Sequence, residues 1–479
     1  MNKTSRFYSS LALLLLLNVI IKPVWILGID RQVQNVTGTD AYGIYFSLFN
    51  LCTVFNFLLD WGITNYLNRQ LAAEEGSPRR YIGSFLMIKL VFSIFYFITV
   101  LIIAWASGVT NWISLALLLV IHFLFSFFLF LRGIVTGEQW FRPYAWISVL
   151  DKLFMILVCG LFLYFPSRFG EITIRKFLVI QICCTAMAIL ITLLFLQAKH
   201  YKIIFSRERI IDANLVKAVW PFAALVFLMS THNRMDGFLL ERLHPNGAYE
   251  AGIYAASYRL LDASGMVGYL FASFLLPFIA REWGNQMDSK KVILQCRHLL
   301  LFFSLFIAGI SIEMAPWLQH LLYNHDSNYG AEVMEYCLPA IIGYCIVWIY
   351  GTVMTATGHI IAFCRLVIIA VIINLGLNLL LIPGYGAKGC AIAGLVSQLF
   401  LGLATMIYSL RRLQIEIHYR SILVYLLCFG VLVFGYQLAL HKHINEWVLL
   451  LSGGLFLLAV IWITKLFTLH SALLALFKK

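Results

Sequence analysis

The chain has 479 residues, of which 62% are hydrophobic and only 12% charged, with a mean hydropathy of +0.88. That excludes a soluble globular protein of this length, whose surface would need far more polar residues, and leaves a polytopic membrane protein. The net charge of +13 is then an orientation signal rather than the footprint of a nucleic-acid binder.

A bilayer core of about 30 Å takes roughly 20 apolar residues as a helix. That criterion marks fourteen spans, at 7–29, 41–63, 81–106, 112–133, 144–165, 177–197, 216–240, 252–279, 298–322, 334–356, 360–382, 389–410, 421–440 and 447–468. The start has the charged-then-apolar order of a signal peptide, but Lys22-Pro23 and the lack of a small-residue cleavage site favour an uncleaved first helix. Span 2 ends on Asp60-Trp61-Gly62, and Lys89 lies about 12 Å into span 3. These two residues are candidates for a meeting at the inner mouth; the alternative is a snorkelling lysine and a helix-capping aspartate. Asp151-Lys152, early in span 5, reads as an interfacial pair.

The stretch from Asn233 to Arg281 carries Arg234, Asp236, Arg259 and Asp262 at membrane depth. Ionisable groups in hydrocarbon cost a few kcal/mol each, so each implies a partner or a wet cavity. Glu313 is a further acid within a span. The ten cysteines form no CxxC pair and read as small core residues. No metal cage or cofactor is implied, and the absence of a Walker A sequence argues against direct use of ATP. Gly384 to Gly389 matches GxGxxG, yet it joins two apolar spans without a βαβ unit and is read as a turn.

With a cytoplasmic N-terminus, the inner segments hold 23 of the 35 Lys and Arg and the outer loops 7. Both termini are therefore expected in the cytoplasm, and loop 166–176, with three cations, is the one discordant loop. Gly43-Ile44-Tyr45 near the start of span 2 recurs as Gly252-Ile253-Tyr254 near the start of span 8, and Thr136-Gly137 before span 5 recurs as Thr357-Gly358 before span 11. A six-helix offset means two halves in the same orientation, related by a pseudo-two-fold axis along the membrane normal. The expected organisation is a six-helix lobe over 1–198, a cytoplasmic linker over 199–215, a second six-helix lobe over 216–412, and two appended helices over 413–479.

The order Tyr42-Gly43-Ile44-Tyr45, Asp60-Trp61-Gly62 and Asn68-Arg69 resembles the N-terminal signature of polysaccharide exporters in the multidrug/oligosaccharidyl-lipid/polysaccharide superfamily. Asn233 to Arg259 is similar to the seventh and eighth helices of that family. Asn374, Asn378, Pro383, Gly386 and Gly389 look like its Asn-rich helix and Gly-rich turn. Each motif alone is weak; their order over spans 1 to 12 carries the likeness. The resemblance implies a flippase of the O-antigen branch, moving undecaprenyl-diphosphate-linked oligosaccharide from the inner to the outer leaflet of the bacterial cytoplasmic membrane. It implies no enzymatic activity and a monomer whose partners are that substrate and membrane lipids. A glycan polymerase partner is left open.

On the expected span limits, Lys22, Arg234 and Arg259 lie roughly 10 Å below the outer surface. They are the candidates to line a central cavity and bind diphosphate and acidic sugars. The plainer reading is a snorkelling Lys22 and an Arg259 paired with Asp262. Asp236, Asp262 and Glu313 are the candidates for neutralising the arginines or for binding a coupling ion. One rival is a multidrug antiporter, which would prefer an acidic cavity. The other is a membrane glycan polymerase or ligase, which would need a long outer loop bearing catalytic residues.

Overall fold

The computed structural model describes residues 3–73, 82–201, 213–284, 290–324, 327–413 and 419–464, and among these there is no strand. The first helix, α1 (Lys3–Pro23), passes into a π-helical segment, Val24–Asp30, and then into α2 (Arg31–Thr37). Pro23 has no N–H to donate and its ring crowds the preceding turn. Just beyond it the ladder slips by one residue, and the Arg31 N–H reaches the Ile26 carbonyl. The first span thus continues well past its expected end at residue 29. Its polar residues turn inward: buried Asp30 accepts from the Tyr42 hydroxyl at 2.9 Å, and the Gln34 amide donates to the Gly252 carbonyl at 2.9 Å.

Next, α3 (Thr39–Val54) tightens into a 3-10 turn, Phe55–Leu59, and the chain bends through Trp61 and Gly62, both at positive φ, into α4 (Ile63–Ala73). Then come α5 (Ile82–Ala106) and α6 (Trp112–Gly137), the latter capped by the Asn111 side chain accepting from the Ser114 N–H. The fifth span is broken at Ser148-Val149 into α7 (Phe141–Ile147) and α8 (Leu150–Tyr164). A single turn, α9 (Pro166–Phe169), leads to α10 (Ile174–Ala198), followed by α11 (Ala213–Leu243) and α12 (Gly247–Gly284).

The remaining helices are α13 (Lys290–Glu313), α14 (Ala315–Leu322), α15 (Asn328–Cys337), α16 (Ile341–Ala356), α17 (Ile360–Leu413), α18 (Tyr419–His441) and α19 (Glu446–Thr464). Among the described residues, twelve helical stretches are long and apolar enough to cross a membrane. One of them, α17, is two helices joined at Gly386, whose φ of 52° and ψ of −130° suit glycine alone. Counting α17 as two and adding α11, which carries Arg234, Asp236, Glu241 and Arg242 in its second half, gives fourteen. The GxGxxG look-alike is the joint between two of these helices. The protein is an all-α, multi-pass membrane protein.

The chain packs as two compact units, Met1–Arg242 with Asn246–Gly252, and Leu243–Pro245 with Ile253–Lys479. Most of the expected linker, 202–212, lies outside the described residues, as do 414–418 and the tail beyond 464.

In the first unit, a core of Leu67, Phe85, Phe128, Leu131, Ile134 and Leu196 joins α4, α5, α6 and α10. Gly133 and Gly137, one turn apart on α6, let α4 approach closely; an added Cβ would press on Thr64 and Leu71. The α11 helix ends in this unit. Its Glu241 accepts from Ser47 at 3.2 Å and pairs with Arg242 at 2.6 Å, while Arg242 donates to the Ser107 and Gly108 carbonyls. The first turn of α12 also packs here, with Gly43 against the backbone of Ala248 and Gly252, and Gly252 against Thr39. The two glycines of the repeated Gly-Ile-Tyr motif therefore meet. The other repeat diverges: Gly137 serves helix packing, whereas Gly358 turns the chain at φ 81°.

In the second unit, α16 and α17 pack closely through Gly343 and Gly402. The indole of Trp348 fills the groove left by Gly265 and Gly268 on α12. The last two helices dock on α13 through Phe302, Ile310, Cys428, Leu432, Tyr436, Leu449 and Leu457. Gly453 gives room for the Tyr436 hydroxyl.

Candidate functional site

The first unit holds a cluster of charges built around the π-helical segment. Pro23 opens the first span directly after Lys22, which leaves the half-buried ammonium among Arg132 of α6 and Asp151 and Lys152 of α8. Asp151 is 3% exposed, and its carboxylate lies 3.2 Å from the Lys152 ammonium. That ammonium sits 5.1 Å from the centre of the Trp25 ring, which stacks on Phe177 of α10. Arg132 donates to the Tyr144 hydroxyl at 3.1 Å and lies over the rings of Tyr144 and Phe128. Asn18 donates to Ser148 at 3.2 Å, which fixes α1 against the break between α7 and α8.

Lys22 thus lies close to two further cations, Arg132 and Lys152, and to one carboxylate, Asp151, inside a membrane-spanning unit. Like charges this close raise one another's energy, while the aromatic faces of Trp25, Tyr144 and Phe128 offset part of the cost. The net charge is positive, and an arginine fork near the Lys22 ammonium suits a phosphate or carboxylate.

Lys22 is fifteen residues from the end of α2 at Thr37, roughly 22 Å along the axis, whereas the expected span end put it about 10 Å deep. Polar Asp30, Arg31 and Gln34 suggested an earlier end; the helix continues because Asp30 and Gln34 bond inward.

A second ionic site lies at the 3-10 turn of the same unit. Lys89, 5% exposed, places its ammonium 2.5 Å from Asp60 and 3.0 Å from the Ser126 hydroxyl, with the Phe130 ring 5.7 Å away. Asp60 also accepts from the Thr64 hydroxyl and backbone N–H at the start of α4. The aspartate therefore both pairs and caps, and the lysine stays inside.

Arg234 and Asp236 lie on α11, two residues apart and so on different faces. Asp236 is buried and Arg234 half-buried, and the intervening turn reaches Asn50 and Phe46 of α3 through Gly237. Arg259 and Asp262 on α12, in the second unit, form an i,i+3 pair at 3.7 Å with Arg259 buried. Beside them the Tyr258 and Tyr344 hydroxyls stand 3.2 Å apart. Glu313 ends α13, half-buried, with His441 in its neighbourhood.

The structure brings together Asp60 with Lys89 and Arg259 with Asp262. It surrounds Lys22 with two cations the sequence reading placed elsewhere. Lys152 reads from the sequence as interfacial, and Arg132 is not among the residues the sequence singles out. The available signal was Lys22-Pro23-Val24-Trp25: a proline that opens a helix beside a lysine, followed by an aromatic ring.

Charges buried within two helical units characterise this fold. Three solved structures share it. A multidrug resistance MATE family transporter of the MOP superfamily in the inward-facing conformation is 13% identical, over 82% of this chain and 94% of its own, with a TM-score of 0.63. An outward-facing structure of a MATE family transporter of the same superfamily is 13% identical, over 85% and 95%, at 0.62. A MOP superfamily transporter from Pyrococcus furiosus, whose binding pocket is described as having reverse polarity, is 14% identical, over 85% and 93%, at 0.60. No curated protein is matched by the sequence. The family described as "Polysaccharide biosynthesis protein" matches residues 9–283, more than half of the chain, and the protein belongs to that family.

Proposed function

We propose that the protein is a flippase that moves undecaprenyl-diphosphate-linked oligosaccharide, an O-antigen, capsule or exopolysaccharide repeat unit, from the inner to the outer leaflet of the bacterial cytoplasmic membrane. The observation that carries this reading is the net-positive group of Arg132, Lys152 and Asp151 around Lys22. A diphosphate brings the negative charge this cluster lacks. Arginine offers it a two-pronged hydrogen bond and the lysines act as point charges. A transporter of cationic drugs would need the opposite balance, so the multidrug antiporter is the weaker reading.

In the orientation with both termini cytoplasmic, Arg132 lies near the inner end of α6, within reach of a headgroup in the inner leaflet. Arg234 in the first unit and Arg259 in the second are further proposed cargo-binding cations, with Asp262 as the counter-charge of Arg259 and Asp236 and Glu313 as proposed sites for a coupling ion. Solved structures of this fold include one inward-facing and one outward-facing transporter, and alternating access is the mechanism proposed here. Release of an anion outward is favoured by the membrane potential, by about 2.3 kcal/mol per charge per 100 mV.

The test is deletion of the gene in its host. Lipid-linked repeat units should accumulate on the inner leaflet while surface glycan is lost, and reintroducing the gene should reverse both. Unchanged surface glycan in the deletion strain, or accumulation already on the outer leaflet, would contradict the proposal.

A further inference from the structure

We propose a second anion site, in the second unit and apart from the Lys22 group: the seam of α13, α16 and α18 binds the phosphate of an anionic lipid through Arg297. Arg297 is 5% exposed and lies seven residues into α13, about two turns from the helix start at Lys290. Its guanidinium lies beside the hydroxyl ends of Tyr350 on α16 and Tyr425 on α18. Among the described residues no carboxylate pairs with it. Two polar atoms at this spot are buried without a hydrogen-bond partner, the Arg297 Nε and the Tyr350 hydroxyl. Both can donate, and both are left over at the same place.

A buried arginine keeps its charge, and five N–H donors cannot be served by two tyrosines. The arrangement asks for an anion with several acceptor oxygens. His298, next along α13 and also buried, contacts the Tyr425 hydroxyl and fixes that ring at the seam.

A phosphodiester fits better than a carboxylate. It carries one negative charge to match one uncompensated cation, and enough oxygens to accept from both the Nε–H and the tyrosine hydroxyl. Access also favours a lipid. Lys290 lies seven residues before Arg297 and so on the same helix face, while exposed Lys291 and Arg420 stand at the starts of α13 and α18. Cations at the ends of spans attract anionic headgroups, and the acyl chains would rest on the exposed leucines of α18 at 423, 426 and 427. The site gives the two final helices a role beyond covering α13, since α18 supplies one of its walls.

The experiment uses the full-length protein purified into nanodiscs of phosphatidylcholine, doped with phosphatidylglycerol, with undecaprenyl diphosphate, or with inorganic phosphate added to the buffer. Bound lipid is counted by native mass spectrometry and the unfolding temperature is recorded alongside. Wild type should retain at least one phosphatidylglycerol and gain thermal stability from it. Arg297→Gln should lose that retention by roughly tenfold or more, the usual worth of a charge-assisted hydrogen bond, and Arg297→Lys should recover part of it. Tyr350→Phe keeps the ring and removes only the orphan hydroxyl, so it should weaken retention in a protein that still folds. Retention of undecaprenyl diphosphate in place of phosphatidylglycerol, with the same dependence on Arg297, would assign the same phosphate site to the carrier lipid. Equal retention of both lipids by wild type, Arg297→Gln and Tyr350→Phe would overturn the proposal, as would a stabilisation by inorganic phosphate alone that none of the variants changes.

Discussion

Replacing Asp60 by Asn is the sharpest probe of the ion pair in the first unit. The change keeps the size of the side chain and one acceptor oxygen, enough to hold the Thr64 N–H, which the aspartate takes on a different oxygen from the Thr64 hydroxyl, so the backbone cap on α4 survives while the charge is lost. Lys89 is then left 5% exposed with the Ser126 hydroxyl at 3.0 Å and the Phe130 ring at 5.7 Å as its remaining partners. Removing one member of a buried pair costs about 3–5 kcal/mol. The Asp60 side chain is 30% exposed, so water reaches the site and the lower end of that range, about 3 kcal/mol, is the expectation. Lys89→Met should cost less, because the abandoned carboxylate is the more hydrated partner. The double variant should recover most of the loss, leaving a coupling of about 2 kcal/mol. The assay is unfolding of the purified protein by sodium dodecyl sulfate titration in mixed micelles, for wild type, both single variants and the double variant. An Asp60→Asn protein within about 0.5 kcal/mol of wild type, or a double variant no more stable than Asp60→Asn, would refute the reasoning.

Gly43→Ala should destabilise the first unit by about 1–3 kcal/mol, because its Cβ would strike the backbone of Ala248 and Gly252, which cannot move aside as a side chain can. Gly160→Ala, with open space around it, is the matched control and should be neutral in the same titration. Gly386→Ala should cost about 1–3 kcal/mol through backbone strain alone, read as a lower unfolding midpoint and less protein in the membrane. Arg234→Ala and Arg259→Ala, each compared at equal membrane level, should abolish surface glycan; glycan at the wild-type level would remove those residues from the cargo site. Trp25→Ala should lower transport by exposing Lys152 to a different environment without removing any charge, measured as inner-leaflet accumulation of lipid-linked repeat units.

The spans were legible because lipid demands long apolar helices, and the turn at Gly384 to Gly389 because no βαβ unit surrounds it. The ends of the spans were less so. Asp30 and Gln34 look like the polar margin of a first helix, yet they bond to Tyr42 and to the Gly252 carbonyl, partners that only tertiary packing supplies. The same holds for the charges. An i,i+3 pair such as Arg259 with Asp262 follows from helix geometry, and that of Lys89 with Asp60 could be guessed from depth. Arg132 could not, because an arginine one turn from the end of a span looks the same whether it faces lipid headgroups or, as here, Tyr144 and Lys22. The paired Thr-Gly motifs do different local work, Gly137 admitting a neighbouring helix and Gly358 reversing the chain, a distinction their matching letters do not carry.

The account turns on whether the cationic cluster of the first unit handles a lipid diphosphate. Purified protein in liposomes containing a fluorescent undecaprenyl-diphosphate oligosaccharide, with outer-leaflet label read by lectin or enzymatic accessibility, measures this directly. Wild type should speed transfer between leaflets well above protein-free liposomes, and Lys22→Gln combined with Arg132→Gln should cut the rate by at least roughly tenfold, the loss expected for charge-assisted contacts to phosphate. Transfer by the double variant at the wild-type rate, or no transfer by wild type under an imposed membrane potential, would contradict it.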